Sequence, residues 1–116
     1  MSVEGLWSLF FKSNVGGEGG GVVVFETGRI LGGDMSYYYL GDYKIDNGQV
    51  MGKVRVTHYQ GEPSSIFGRA SEFDLKIGGK LSGTQVGSTN TLTGEVIGRP
   101  NLVMGVLLTK RAELPD

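Results

Sequence analysis

The chain has 116 residues, a length that predicts one domain over residues 1–116. It has eleven basic and twelve acidic side chains, and its formal net charge is -1. Because nucleic-acid binders carry a basic excess, this balance argues against direct contact with nucleic acid. The chain has no cysteine, no apolar run of about 18 residues and an N-terminus unlike a secretory signal, so we expect no disulfide, no membrane association and a cytoplasmic location.

Glycine is the outlier in the composition, with 21 residues in the chain. Each glycine inside a helix costs about 1 kcal/mol relative to alanine, so the composition predicts strands joined by tight turns. We expect a first strand over residues 5–12, a glycine-rich loop over 15–21 and a strand over 22–25. A hairpin turn at 26–29 then leads to a short strand at residues 30 and 31.

The clearest strand pair surrounds Asn47-Gly48, the strongest short signal for a hairpin turn. Residues 37–45 and 50–58 alternate apolar and polar side chains on either side of it, which indicates one buried and one wet face. Over residues 63–70 the alternation stops, and a short helix is expected there. Further strands are expected at 73–77, 81–86, 92–97 and 102–109, with a turn at Gly78-Gly79.

Short strands in simple succession predict an all-β fold, a closed up-and-down antiparallel β-barrel of about eight strands with at most one short helix. Gly5-Leu6-Trp7 resembles the Gly-x-Trp opening of lipocalin-like (calycin) barrels, in which a late basic residue packs across the indole at the closed end. Lys110 or Arg111 would supply that residue here. The alternative is that Trp7 is simply a core tryptophan.

The inward faces of these strands predict an apolar cavity. Gly52, Gly83 and Gly94 are expected to lie within strands and to leave volume that larger side chains would fill. The ligand expected there is a fatty or aromatic small molecule. The residues expected to line the cavity are Trp7, Phe11, Val50, Val54, Val56, His58, Phe73, Leu75 and Ile77.

Groups for catalysis or metal binding are scarce in this sequence. His58 is the single histidine, and a lone histidine is more typical of a core or rim residue bonded to a neighbour than of a catalytic base or metal ligand. No Gly-x-Ser-x-Gly nucleophile motif occurs, and the glycines at 16–21 precede a strand, whereas a phosphate loop precedes a helix. We therefore predict a protein that is not an enzyme and has no cofactor and no metal site.

The tyrosine run at 37–39 and the hairpin after it are a candidate surface for binding a protein partner. Tyrosine combines apolar area with a hydrogen-bonding group, although such a run is also typical of a strand that is half core and half surface. The predicted partner-binding residues are Tyr37, Tyr39, Asp42 and Asp46.

A second surface is predicted where strands are apolar on both faces. Residues 22–25 and 102–108 have this pattern, so something must cover the outer face of the barrel at these strands. The simplest cover is a second copy of the chain in a homodimer, and the alternative is the C-terminal tail or the 61–71 loop. The predicted interface residues are Val23, Phe25, Val103 and Leu107.

The order of these motifs resembles the GrlR family, the negative regulators of type III secretion gene expression in enteric pathogens. The agreement covers about the first 80 residues, with glycines and aromatics dominating it. The stretches that carry it are Gly5-Leu6-Trp7-Ser8, Phe11 with Ser13-Asn14, Gly17-Glu18-Gly19, Ile30 with Gly32-Gly33-Asp34, Glu62-Pro63-Ser64, and Phe73-Asp74-Leu75-Lys76-Ile77.

The resemblance implies a lipocalin-like barrel, a homodimer, an apolar cavity and a helix-turn-helix transcriptional activator as partner. The enteric regulators have an acidic run in the hairpin that is occupied here by residues 45–48, and only Asp46 remains of it. Two functions follow as expectations. The first is a regulatory protein that sequesters an activator, and the second is a carrier or sensor of an apolar small molecule.

Overall fold

The computed structural model describes residues 2–63, 65–68 and 70–115, and these form a closed antiparallel barrel of eight strands with no helix. Each strand pairs with the next along the chain, and the last pairs with the first. The predicted up-and-down barrel is therefore confirmed. The strands are β1 Gly5–Ser13, β2 Glu18–Glu26, β3 Arg29–Gly33, β4 Tyr37–Asp46, β5 Gln49–His58, β6 Glu72–Lys80, β7 Thr89–Val96 and β8 Arg99–Ala112.

Two tight turns explain why β2–β3 and β4–β5 are hairpins. Thr27 and Gly28 have φ values of 49° and 77°, and Asn47 and Gly48 have φ values of 53° and 76°. Two successive positive φ values match the twist of a two-residue hairpin, and glycine and asparagine adopt them readily. Both turns lie where the sequence predicts them.

The prediction of a loop over residues 15–21 is only partly right, because β2 begins at Glu18. Gly19 lies opposite Phe11 in the β1–β2 register, and a Cβ atom on Gly19 would lie 2.6 Å from the Phe11 ring. The glycines in this segment therefore belong to a strand, where the lack of a side chain leaves room for an inward aromatic ring. The barrel wall is formed here by bare backbone.

The predicted turn at Gly78-Gly79 and the strand over 81–86 are both wrong. β6 continues to Lys80, and residues 81–88 form an irregular loop. Asn90 holds this loop, since its side-chain carbonyl accepts from the backbone N–H of Ser82 at 2.6 Å and its amide donates to the carbonyl of Gly83 at 2.7 Å. A buried asparagine thus replaces the ladder that a strand would have provided.

The short helix expected over 63–70 is absent from the described part of this segment. Ser65 and Gly68 exchange two backbone hydrogen bonds, of 2.7 Å and 3.0 Å, which close a tight turn around Ile66 and Phe67. Gly68 has a φ of 101°, which a right-handed helix does not tolerate. Ser64 and Arg69 lie outside the described residues.

The two ends of the barrel differ. At one end, here called the Trp7 end, Trp7 is fully buried, and its indole N–H donates to the carbonyl oxygen of Val3 at 2.8 Å. At the other, here called the loop end, the connections 14–17, 34–36 and 59–71 come together. Within the described ranges, no helix is long and apolar enough to cross a membrane.

Candidate ligand cavity and outer surfaces

A cavity of about 430 Å³ runs from the loop end into the barrel. Apolar side chains from the strands form most of its wall, and loop residues from 17, 34–36 and 65–67 surround its mouth. Six of the predicted lining residues lie on this wall, namely Phe11, Val54, Val56, Phe73, Leu75 and Ile77. The cavity volume falls in the range of about 300–1,000 Å³ that is typical of small-molecule sites.

Trp7, Val50 and His58 do not line the cavity, so their assignment to it is wrong. Trp7 and Val50 are fully buried in the solid core near the Trp7 end, where Trp7 packs edge-on against Phe25 with ring centroids 6.0 Å apart. His58 ends β5 at the rim of the loop end. Its Nε2 lies 2.7 Å from the carbonyl oxygen of Gly61, and its ring packs edge-on against Tyr37. It is a rim histidine bonded to a neighbour, which is the alternative that the sequence left open.

The glycines expected to create the cavity do not do so. A Cβ atom on Gly52 would lie 2.6 Å from the carbonyl oxygen of Asp42, and one on Gly94 would lie 3.0 Å from the end of the Met104 side chain. Gly83 is not in a strand at all, but in the 81–88 loop beside Ser88. Neighbouring groups already occupy the volume at these positions, and Gly17, Gly19 and Gly20 line the cavity instead.

Val23 and Phe25 were predicted on the outer dimer face, and this is wrong because both are buried in the barrel and line the cavity. Their outward neighbour is Val22, which is about half exposed. Four consecutive apolar residues leave the side-chain direction of a strand undefined. The Thr27-Gly28 hairpin places Phe25 opposite Ile30 on one face and Val24 opposite Leu31 on the other, and the structure buries the first pair.

The predicted partner-binding tyrosines also point inward. Tyr37 and Tyr39 are buried, and both line the cavity near its mouth, whereas Tyr38 between them faces outward. The assignment of Tyr37 and Tyr39 to an outer surface is therefore wrong. Asp42 and Asp46 are exposed on the outside of β4, where the sequence places them. The period of two along β4 divides the tyrosine run between core and surface.

Asp34 is the polar group at the mouth of the cavity. One of its carboxylate oxygens accepts from the backbone N–H groups of Ser36 at 2.9 Å and Tyr37 at 2.8 Å, which fixes the turn between β3 and β4. The other accepts a hydrogen bond from the Tyr39 hydroxyl. Burial, followed by this bond to Asp34, raises the pKa of Tyr39 well above its usual range, so Tyr39 stays a donor.

The loop between β5 and β6 packs over the same mouth. The Ser13 hydroxyl donates to the carbonyl oxygen of Ile66 at 2.7 Å, and a Cβ atom on Gly17 would lie only 2.4 Å from that oxygen. The Phe67 ring packs edge-on against Phe73, with centroids 5.6 Å apart. These contacts place Phe67 on the cavity wall and narrow the entrance.

The outer surface of the barrel has an apolar side. In register, Leu107 of β8 lies opposite Phe10 of β1, and Leu31 of β3 lies opposite Leu40 of β4. Val22 of β2 lies diagonally between these two pairs. We call Phe10, Val22, Leu31, Leu40 and Leu107 the apolar stripe, and their exposed fractions lie between 37% and 51%. Val103, predicted with Leu107 for the dimer face, is also exposed and lies further along β8.

The opposite side of the barrel is polar. The outward row across β5, β6 and β7 is Lys53, Lys76 and Glu95, and the next row places Arg55 opposite Asp74. The Arg55 Nε lies 3.0 Å from a carboxylate oxygen of Asp74, and this hydrogen bond holds the pKa of Asp74 below its usual range. The contrast between the two sides shows that the apolar stripe is a local property of β8 and β1–β4.

The described residues contain no group of three or more histidine, cysteine, aspartate or glutamate side chains that could hold a metal ion. Comparison with protein-family models and with curated proteins gave no match to this chain. The geometry of the cavity and of the outer surface therefore carries the functional argument.

Proposed function

We propose that this chain is a non-catalytic regulatory binding protein whose barrel holds an apolar small molecule. The observation that carries the proposal is the cavity of about 430 Å³, which is open at the loop end and walled by apolar side chains. Small-molecule sites combine such a wall with a few placed polar groups, here Asp34 and Tyr39. The described residues that line the cavity include no histidine, lysine or cysteine that could serve as a general base or an activated nucleophile.

The cavity is entered from the loop end of the barrel. The Trp7 end is filled by fully buried side chains, while among the described residues the loop end is covered by turns and by Phe67. The interior of an eight-stranded barrel is either filled by inward side chains or wide enough for one small ligand, and the open apolar cavity here favours the second case. A ligand would restore the missing contacts, and its occupancy would be sensed at the mouth loops.

Binding of a neutral apolar naphthalene probe tests this function, because its fluorescence rises in a dry site. The variant Val54→Phe, which fills the cavity, should lose the fluorescence gain while still giving a cooperative melting transition. Val86→Phe, in the exposed 81–88 loop, adds the same volume outside the barrel and is the matched control. Equal probe binding by the wild type and Val54→Phe, with both folded, would rule out the cavity as the binding site.

The regulatory part of the proposal concerns a protein partner, and the resemblance to the GrlR family supports a helix-turn-helix activator in the cytoplasm. The outward residues Tyr38, Asp42 and Asp46 on β4 are available to such a partner. Because recognition helices are basic, exposed carboxylates on this hairpin are complementary to them. Because residues 45–48 lack the acidic run of the enteric regulators, we expect a weaker attraction between this hairpin and a basic recognition helix.

A pull-down from the native host tests this second function. The doubly substituted variant Asp42→Lys and Asp46→Lys reverses the charge of the hairpin and is the specificity control, because both residues are exposed and outside the core. Recovery of a helix-turn-helix protein by the wild type but not by the variant is the expected result. Recovery of no DNA-binding protein, or equal recovery by both, contradicts the sequestration function and leaves the cavity function standing.

We also propose that the apolar stripe is the contact surface of a homodimer. Apolar surface costs about 25 cal/mol per Å² when it is left in water, and this stripe crosses five adjacent strands while the far side of the barrel is charged. A self-complementary patch on one side of a closed barrel suits a two-fold interface.

A further inference from the structure

The polar lining of the cavity is acidic. Among the described lining residues, the charged ones are Glu18 and Asp34, and none is basic. Glu18 faces outward, and its carboxylate lies 3.7 Å from the Lys12 ammonium, so its charge is paired outside the cavity. No ion pair involving Asp34 is formed among the described residues.

Asp34 is held in one orientation by three hydrogen bonds. Its carboxylate accepts from two backbone N–H groups and from the Tyr39 hydroxyl, and its own carbonyl oxygen accepts from the Tyr59 hydroxyl at 2.8 Å. A carboxylate has about four lone-pair sites, so capacity remains for a further donor. Among the described lining residues no basic side chain supplies that donor, so a ligand head group in the cavity can supply it.

A fatty acid is a poor match for this mouth. Its carboxylate would lie beside Asp34 with no described basic side chain to pair with, and like charges at a close contact are unfavourable. An ammonium head gains a charge-assisted hydrogen bond at the same place. The apolar wall gives the tail the same environment in either case.

From this lining we propose that the cavity selects an apolar ligand with an amine head, which Asp34 binds at the mouth, and excludes fatty acids. The inference rests on the proposed small-molecule function and specifies its ligand class. Tyr39 lines the cavity beside Asp34 and helps to position it, because its hydroxyl hydrogen is donated to the Asp34 carboxylate.

Displacement of the naphthalene probe by decylamine, decanol and decanoate, each below its micelle concentration or solubility limit, tests the selection with one tail and three head groups. At neutral pH and low salt the amine should bind at least about tenfold more tightly than the acid, with the alcohol between them. Asp34→Asn keeps an oxygen that can accept the two backbone bonds, and it should reduce this ratio to near one. Glu95→Gln removes an exposed charge on the outer face of β7, away from the cavity, and should leave the ratio unchanged.

The outcomes separate the two proposals. If the probe does not bind to the folded wild type, the small-molecule function itself fails. If the probe binds but decanoate displaces it as well as decylamine does, or if Asp34→Asn leaves the ratio unchanged, only the amine selection fails. Arg69 lies outside the described residues, so Arg69→Gln is included, and a preference for decanoate that this variant abolishes would also overturn the selection.

Discussion

Lys110 lies directly opposite Trp7 in the β1–β8 register, and its side chain is buried together with the indole. Its ammonium donates to the carbonyl oxygens of Ser2 at 3.1 Å and Thr84 at 2.9 Å, and it lies 2.9 Å from a carboxylate oxygen of Glu113. A Cβ atom on Gly5 would lie 2.5 Å from the lysine Cε. The absence of a side chain at Gly5 therefore leaves room for the Lys110 stem. This packing explains why glycine, tryptophan and lysine occur together at this end of the barrel.

The first prediction is that removing this ammonium destabilises the barrel. Lys110→Met keeps the length of the stem but removes the buried donor of the part-buried hydrogen bonds to Ser2 and Thr84, and the loss of such bonds costs about 1–3 kcal/mol. We expect the free energy of unfolding in urea to fall by an amount in this range. Arg111→Met is the control, because Arg111 is exposed and bonds only the Ser8 hydroxyl among the described contacts. A fall of equal size in both variants would show that Lys110 has no special role.

The second prediction concerns the ionisation of Tyr39. Burial and the bond to Asp34 raise its pKa far above the ordinary value of about 10, so the folded protein should keep this hydroxyl protonated at about pH 11. At that pH the phenolate absorbance of folded Tyr39→Phe should equal that of the wild type. In urea the two chains should differ by one tyrosine. A difference of one tyrosine already present in the folded proteins would contradict the buried bond.

The same shift gives a direction for stability. With a folded pKa above the unfolded one, the stabilisation from Tyr39 is complete below about pH 10 and is lost as the pH rises above that value. The free energy of unfolding should therefore decline with pH in this range more steeply for the wild type than for Tyr39→Phe. Equal slopes would show that Tyr39 titrates alike in the folded and unfolded chains.

The third prediction uses two glycines with opposite surroundings. A Cβ atom on Gly32 would lie 2.1 Å from the carbonyl oxygen of Val22, which is backbone and cannot move aside, whereas Gly105 has nothing within 4 Å. Gly32→Ala should cost about 1–3 kcal/mol of unfolding free energy, as crowded substitutions do. Gly105→Ala should be neutral or slightly stabilising. Equal melting temperatures for the two variants would show that β2 and β3 do not approach as closely as described.

The sequence predicted the fold well because local signals decided it. Asn47-Gly48 fixed one hairpin, and the alternation in β4, β5 and β6 fixed the inward faces of Val54, Val56 and Leu75. Predictions failed where the pattern had no period. Val22 to Phe25 gave no side-chain direction, and the tyrosine run at 37–39 was assigned to the surface by residue type although the period of two divides it.

The cavity mouth could not be read from the sequence because long-range contacts form it. Asp34 and Tyr39 meet through one turn, but the bond from Ser13 to Ile66 joins residues far apart in the chain. Similarly, residues 81–86, which the sequence predicted as a strand, form a loop that is held by hydrogen bonds to Asn90. The motif Gly32-Gly33-Asp34, which contributes to the family resemblance, has a structural role as a close approach followed by a capped turn.

The last prediction is that the apolar stripe mediates a homodimer. Leu107 is exposed and lies opposite Phe10 at the β8–β1 junction, so a charge at Leu107 would be buried in a dimer and solvated in a monomer. Leu107→Glu should therefore shift the protein from dimer to monomer in light scattering at micromolar concentration. A specific interface of the usual size covers about 800 Å² on each partner, which an array of five large side chains and their neighbours can supply.

The control for this substitution is Met51→Glu. Met51 is also an exposed apolar residue, but it lies on β5, between Lys44 and Gly78 in the register and outside the apolar stripe. Met51→Glu should have the same molecular mass in light scattering as the wild type. Both variants should melt cooperatively, since neither side chain contributes to the core. A monomeric wild type, or a Leu107→Glu protein that remains dimeric, would contradict the proposal that the apolar stripe holds a homodimer. Because hydrophobic association weakens on cooling, a dimer held by this stripe should also dissociate more readily in the cold.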